Sequence, residues 1–179
     1  MTQTAKVYGE ALYELAKEQS VTDELLSQLQ TLAEIFQQTP QYLSLLAEPS
    51  IAKAERRELL ETGFRGRIHD YLLNFLKILC DKNTIRQFAG CVLAYRKRYN
   101  EDNGILEVRA VTAVELTPQL KQKLTEKLAA TTGKTICLTC RVDPACIGGV
   151  RLEMEGQQLD GTVLGRLEQI QLSLRQAVL

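Results

Sequence analysis

The stretch from Tyr95 to Thr112 reads YRKRYNEDNGILEVRAVT, and the spacing of its apolar residues changes partway through. Up to Tyr99 the apolar residues recur at helical intervals. After the polar segment Asn100–Gly104 the sequence alternates with a period of two, as in a strand with one buried face. This change predicts an α+β protein with a helical domain, residues 1–104, followed by a small α/β domain, residues 105–179.

Upstream of the change, apolar residues recur every three or four positions in six successive segments, which predicts six helices. The second helix shows the pattern in its apolar residues, which are Leu25, Leu29, Leu32 and Phe36. Its start is predicted within Ser20–Asp23, where several side chains could cap a helix. Thr39 followed by Pro40 predicts the start of the third helix, and Ser50 the start of the fourth.

The fifth helical segment, His69–Lys82, is apolar around most of its circumference, unlike its neighbours. A helix that is apolar on all sides has to be covered on all sides. The segment is therefore either the central helix of a bundle or a helix with part of its surface kept for a partner.

Downstream of the change, the order of elements is strand, helix, strand, strand, strand, helix. After the first strand, the predicted segments are a helix between Thr117 and Gly133, strands at Thr135–Val142, Val150–Met154 and Gln157–Asp160 with a turn at Glu155-Gly156, and a helix from Thr162. This alternation is typical of a small α/β unit.

Composition and charge exclude several classes of function. Lysine plus arginine and aspartate plus glutamate both number 22, and this balance is unlike that of a nucleic-acid-binding domain. The basic run Arg96–Arg98 is interpreted as a solvated helix face. No apolar run approaches the roughly 20 residues that cross a bilayer, and Glu10 and Glu14 stand where a cleavable presequence avoids acids. We therefore expect membrane contact only through a partner.

The five cysteines, an odd number, are interpreted as reduced thiols of a cytosolic protein. Cys137 and Cys140 have CxxC spacing and Cys146 follows, but on a strand the first two side chains point to opposite faces. His69, the single histidine, has no patterned nucleophile beside it. We predict no catalytic residue, metal or cofactor, and keep a small cytosolic α/β thiol-dependent regulator or enzyme as the alternative.

Two further groups of residues could suggest chemistry. Gly148-Gly149 lacks the spacing of a phosphate-binding loop, and it is interpreted as a bulge or a close backbone approach. Asp143 and Asp160 stand at strand ends, where aspartate commonly forms turns and caps.

Four segments resemble those of a known family. They are Tyr8–Ala16 (YGEALYELA), Asn74–Asn83 (NFLKILCDKN), Val142–Leu152 (VDPACIGGVRL) and Leu159–Leu167 (LDGTVLGRL). Together they resemble the bacterial-type δ subunit of F-type ATP synthase, the family of the mitochondrial oligomycin-sensitivity-conferring protein. Gly161-Thr162 and Leu164 depart from the family pattern, which usually has a serine and another arginine there.

The resemblance implies a stator without catalytic activity. In that family an N-terminal six-helix bundle binds the N-terminal helices of the α subunits, and the C-terminal domain binds the C-terminal end of the b subunits. It also implies a peripheral position on the cytoplasmic face of the cell membrane.

The resemblance further implies a groove between the first and fifth helices, which would bind the partner helix. The residues carried over to this groove are Tyr8, Ala11, Leu12, Leu15, Leu72, Phe75, Leu76 and Leu79. Which of the eight face the partner and which face the bundle core stays open, and packing in the core is the alternative for each of them.

Overall fold

A computed structural model of the chain describes residues 2–146, 148–154 and 157–161. The described elements comprise seven α-helices and a four-stranded sheet, so the predicted α+β class is confirmed. The chain divides into two compact units, Met1–Tyr99 and Asn100–Leu179, and the last helix of the first unit continues past this division to Asp102. The helices are α1 Gln3–Glu18, α2 Thr22–Gln38, α3 Pro40–Leu46, α4 Lys53–Phe64, α5 Asp70–Asp81, α6 Phe88–Asp102 and α7 Pro118–Thr132.

The first unit is built around one apolar core to which helices α1 to α6 all contribute. The predicted stripe of α2 is confirmed, since Leu25, Leu29, Leu32 and Phe36 are all buried. Gly9 lets α1 approach α6 closely: a Cβ atom added there would lie 2.4 Å from the backbone oxygen of Cys91 and 2.6 Å from the Cβ of Ala94. Any larger residue would force the two helices apart.

Two of the three predicted helix starts are confirmed. Helix α2 begins at Thr22, within the predicted Ser20–Asp23, and α3 begins at Pro40 directly after Thr39, but neither Val21 nor Thr39, the residues at the cap positions, makes a side-chain cap bond. Thr39 also ends α2, so its backbone serves two helices at once. The predicted start of α4 at Ser50 is wrong. Helix α4 begins at Lys53 with Ala52 as its cap residue, and the Ser50 hydroxyl donates to Oε1 of Glu48 and accepts no N–H of the helix.

The sheet of the second unit has the strand order β2-β1-β3-β4. Strand β1 pairs in parallel with β2 and antiparallel with β3, and β3 forms the predicted hairpin with β4. The strands are β1 Ile105–Thr112, β2 Thr135–Val142, β3 Val150–Met154 and β4 Gln157–Asp160. Leu106, Val108 and Ala110 share the buried face of the central strand.

Helix α7 has the predicted boundaries. The Thr117 hydroxyl accepts the N–H of Leu120, Pro118 occupies the first turn, and Gly133 ends the helix with φ +68°. The predicted turn at Glu155-Gly156 and the predicted helix from Thr162 lie outside the described residues.

Candidate partner-binding groove

An open groove runs between α1 and α5 in the first unit, with a volume of about 370 Å³. Its lining residues are Tyr8, Ala11, Leu12, Leu15, Tyr71, Asn74, Phe75 and Ile78. Seven of these eight are apolar or aromatic, and the amide of Asn74 is the one strongly polar side chain. A groove of this kind fits the apolar face of an amphipathic helix.

The groove follows from the same spacing on two helices. Positions 8, 11, 12 and 15 on α1 form a continuous ridge, and positions 71, 74, 75 and 78 on α5 form another. Apart from Asn74 both ridges are apolar or aromatic, yet neither is fully covered by the core. Leu15 is 37% exposed and Ile78 is 46% exposed, so the groove displays apolar surface to solvent.

The structure places the eight predicted groove residues in two locations. Five of them line the groove, namely Tyr8, Ala11, Leu12, Leu15 and Phe75. The other three, Leu72, Leu76 and Leu79, are fully buried in the core. The prediction missed Tyr71, Asn74 and Ile78, which line the wall of α5. A usable signal existed, because residues 71, 74, 75 and 78 follow the same i, i+3, i+4, i+7 series as the residues on α1.

Ion pairs fix α5 against α4. Arg57 donates to both carboxylate oxygens of Asp81, and this hydrogen bond lowers the pKa of that carboxyl. Lys77 donates to Oε1 of Glu61, and this hydrogen bond lowers the pKa of Glu61. Both pairs involve the polar side of α5, so its apolar side is left to the core and the groove.

Arg56 binds the end of α5 from inside the core. Its side chain is 2% exposed, and its Nη1 donates to the backbone oxygens of Leu46 and Cys80 and to Oδ1 of Asn83 at 3.0–3.4 Å. One guanidinium therefore satisfies carbonyls at the C-terminal ends of both α3 and α5. No described carboxylate makes a hydrogen bond or ion pair with it within 4 Å.

The cysteines occupy two environments. Cys137 and Cys140 are exposed on β2, three positions apart and hence on opposite faces. Cys80 and Cys91 are buried, and burial raises the pKa of each thiol to about 11. Within residues 2–146, 148–154 and 157–161, no group of three or more Cys, His, Asp or Glu side chains is placed to hold a metal ion.

The other candidate residues have structural contacts. Tyr95, beside the basic run Arg96–Arg98, is buried and donates to the backbone oxygen of Thr22 at 3.0 Å, as expected for a tyrosine facing the core. Arg98 pairs with Glu14 at 3.3 Å. Asp143 accepts the N–H of Ala145 at 3.0 Å, which is the turn role predicted for it.

A family model described as the ATP synthase delta (OSCP) subunit matches residues 4–174. The chain belongs to the ATP synthase delta (OSCP) family. The predicted resemblance is thereby confirmed over nearly the whole length of the chain.

Bacterial members of the ATP synthase delta family agree with this assignment. "ATP synthase subunit delta" of Alkaliphilus metalliredigens is 33% identical over 97% of both chains. The protein of the same name from Clostridioides difficile is 29% identical, also over 97% of both chains. Among solved structures, a chain of the Toxoplasma gondii mitochondrial ATP synthase hexamer matches 97% of this chain with a TM-score of 0.76. At 18% identity that likeness shows a shared fold.

None of the helices in the described part of this delta-family chain is both long and apolar enough to span a membrane.

Proposed function

We propose that the protein is a non-catalytic stator subunit of a proton-translocating F-type ATP synthase. The first unit, acting as a six-helix bundle, binds the N-terminal helix of an α subunit of the catalytic head. The second unit binds the C-terminal end of the b subunits of the peripheral stalk. Held at both ends, the protein keeps the head from turning with the rotor, at the cytoplasmic face of the membrane.

The observation that carries this proposal is the open apolar groove between α1 and α5. An amphipathic helix placed there would cover Leu15 and Ile78, which the protein leaves partly exposed. Ala11 has only a methyl group at its position in the α1 wall, so the backbone of an incoming helix has room to approach. Phe75 forms part of the floor and is already ordered by the core, which reduces the entropy lost on binding.

Titration calorimetry of the full chain with a peptide of the α-subunit N-terminal segment tests the proposal. We expect saturable binding of one peptide per chain with a negative heat-capacity change, because apolar surface is buried. No saturation over a range of temperatures and salt concentrations would refute the proposed role of the groove.

The stalk-binding half of the proposal requires its own experiment. In reconstituted membranes depleted of the subunit, adding back the full chain should restore ATP-driven proton pumping and retain b subunits with the catalytic head. The same add-back with Cys137 and Cys140 both replaced tests the thiol-dependent alternative. Full restoration by this variant removes that alternative, whereas failure by a folded variant favours it.

A further inference from the structure

The single histidine contacts a residue of one wall of the groove. His69 precedes α5 and its Nδ1 accepts the backbone N–H of Tyr71 at 3.3 Å. Its ring also packs on the ring of Tyr71, with centroids 4.9 Å apart and planes inclined by 33°. Tyr71 is a groove-lining residue, so one imidazole contacts both the backbone and the side chain of this wall.

The backbone of the histidine is also held by α2. Its backbone N–H donates to Oε1 of Gln28 at 2.7 Å, and Nε2 of Gln28 donates to Glu24 at 3.0 Å. Both Glu24 and Gln28 belong to α2, which contributes four buried residues to the core. The start of α5 is thus connected to a fixed helix by a series of hydrogen bonds.

We propose that His69 is a positioning residue for the groove, and that its ring sets the orientation of Tyr71 and thereby the affinity for the partner helix. This proposal rests on the proposed function of the groove. The two contacts of the imidazole have separable effects. The hydrogen bond to the Tyr71 N–H caps α5 and stabilises the fold, whereas the ring contact restricts the Tyr71 side chain.

Three substitutions separate these effects. His69→Asn keeps a side-chain acceptor for the helix cap and removes the ring. His69→Phe keeps a ring on Tyr71 and removes the acceptor. His69→Ala removes both. Thr117→Ala is the matched control, because it removes a similar cap from α7 in the other unit.

Two measurements on the full-length variants decide the proposal. The first is the Kd of the α-subunit N-terminal peptide by calorimetry. The second is the NMR chemical shifts of the Leu15 and Ile78 methyl groups without peptide, which report the shape of the groove. We expect His69→Asn and His69→Ala to raise Kd about two- to tenfold and to shift the methyl signals, while His69→Phe restores both.

Thermal stability should depend on the other contact, the hydrogen bond from the Tyr71 N–H to Nδ1 of His69. His69→Phe and His69→Ala should lower Tm by about 2–6 °C, and His69→Asn should not. Thr117→Ala should leave Kd and the methyl signals unchanged. The proposal is overturned if Kd and the methyl signals of His69→Asn equal those of the parent. It is also overturned if Kd rises in the variants with a lowered Tm and not in the variants that lack the ring.

The outcomes also separate this inference from the proposed function. A parent chain that binds no peptide refutes the proposed function, while the methyl signals still decide whether His69 positions the groove wall. If the parent chain binds the peptide but the methyl signals are the same with and without a ring at position 69, only the role of His69 is refuted.

Discussion

Truncating the exposed part of the groove tests its role most directly. The double variant Leu15→Ala and Ile78→Ala removes one apolar side chain from each wall. Both residues are substantially exposed in the free protein, so the loss of core packing is limited and the variant should fold. Their exposed fractions, 37% and 46%, are the surface that a partner helix would cover.

These fractions set the expected size of the effect. Complete burial of a leucine or isoleucine side chain contributes roughly 1.5–3 kcal/mol. Scaled by the exposed fraction, Ile78 would contribute about 0.7–1.4 kcal/mol to the proposed partner binding and Leu15 about 0.6–1.1 kcal/mol. Losing both should raise Kd roughly 10- to 70-fold.

Calorimetry with the α-subunit N-terminal peptide measures this change, and circular dichroism establishes that each variant is folded. Leu93→Ala is the matched control, because Leu93 is 59% exposed on α6 and does not line the groove. Its Kd should stay within about a factor of two of the parent. A folded double variant with a Kd within threefold of the parent, or equal weakening by Leu93→Ala, would refute the reasoning.

Three other predictions concern stability and thiol reactivity. Arg56→Met should lower the free energy of unfolding by about 2–4 kcal/mol in urea titrations, since it leaves buried acceptors unpaired. Arg57→Met, which removes an exposed ion pair, should lower it by less, and equal losses would contradict this. The hydrogen bond from Arg57 lowers the pKa of Asp81 below its ordinary value of 3.8, so its ionised form adds stability that is lost as pH falls through the lowered pKa. Asp81→Asn should therefore lose less stability than the parent between neutral pH and about pH 2.5, and an equal loss would contradict this. Ellman's reagent at about pH 8 should react rapidly with Cys137 and Cys140 and slowly with the three buried cysteines, and rapid reaction of all five in the folded protein would contradict this.

The strands could be predicted closely because their signal is local. The change to a period of two at Ile105 and the glycine after α7 gave bounds for β1 and β2 that match the structure. The start of α4 could not be predicted in the same way. Ser50 has the composition of a cap, but its hydroxyl bonds to Glu48, and the sequence does not reveal that competition.

The two walls of the groove were predictable to different degrees. On α1 the charged residues mark the solvent side, so the stripe containing Leu12 and Leu15 identifies one face. On α5 the apolar residues cover most of the circumference and contain more than one series with helical spacing. The face with Leu72 and Leu76 was as plausible as the face with Ile78. Packing against the rest of the core decides between them, and that depends on residues far away in the sequence.

The close approach at Gly9 has a mechanical consequence for a protein that would carry a sustained load. Backbone atoms of α1 lie directly against α6, with no side chain between them whose rotamer could change. Close-packed interiors have low compressibility and transmit strain, and a contact made by glycine and alanine has no side-chain rotamer that could change. A force applied to α1 should therefore be transmitted to α6 with little relative displacement of the two helices. This helix pair should behave as a stiff element, and compliance should arise elsewhere in the chain.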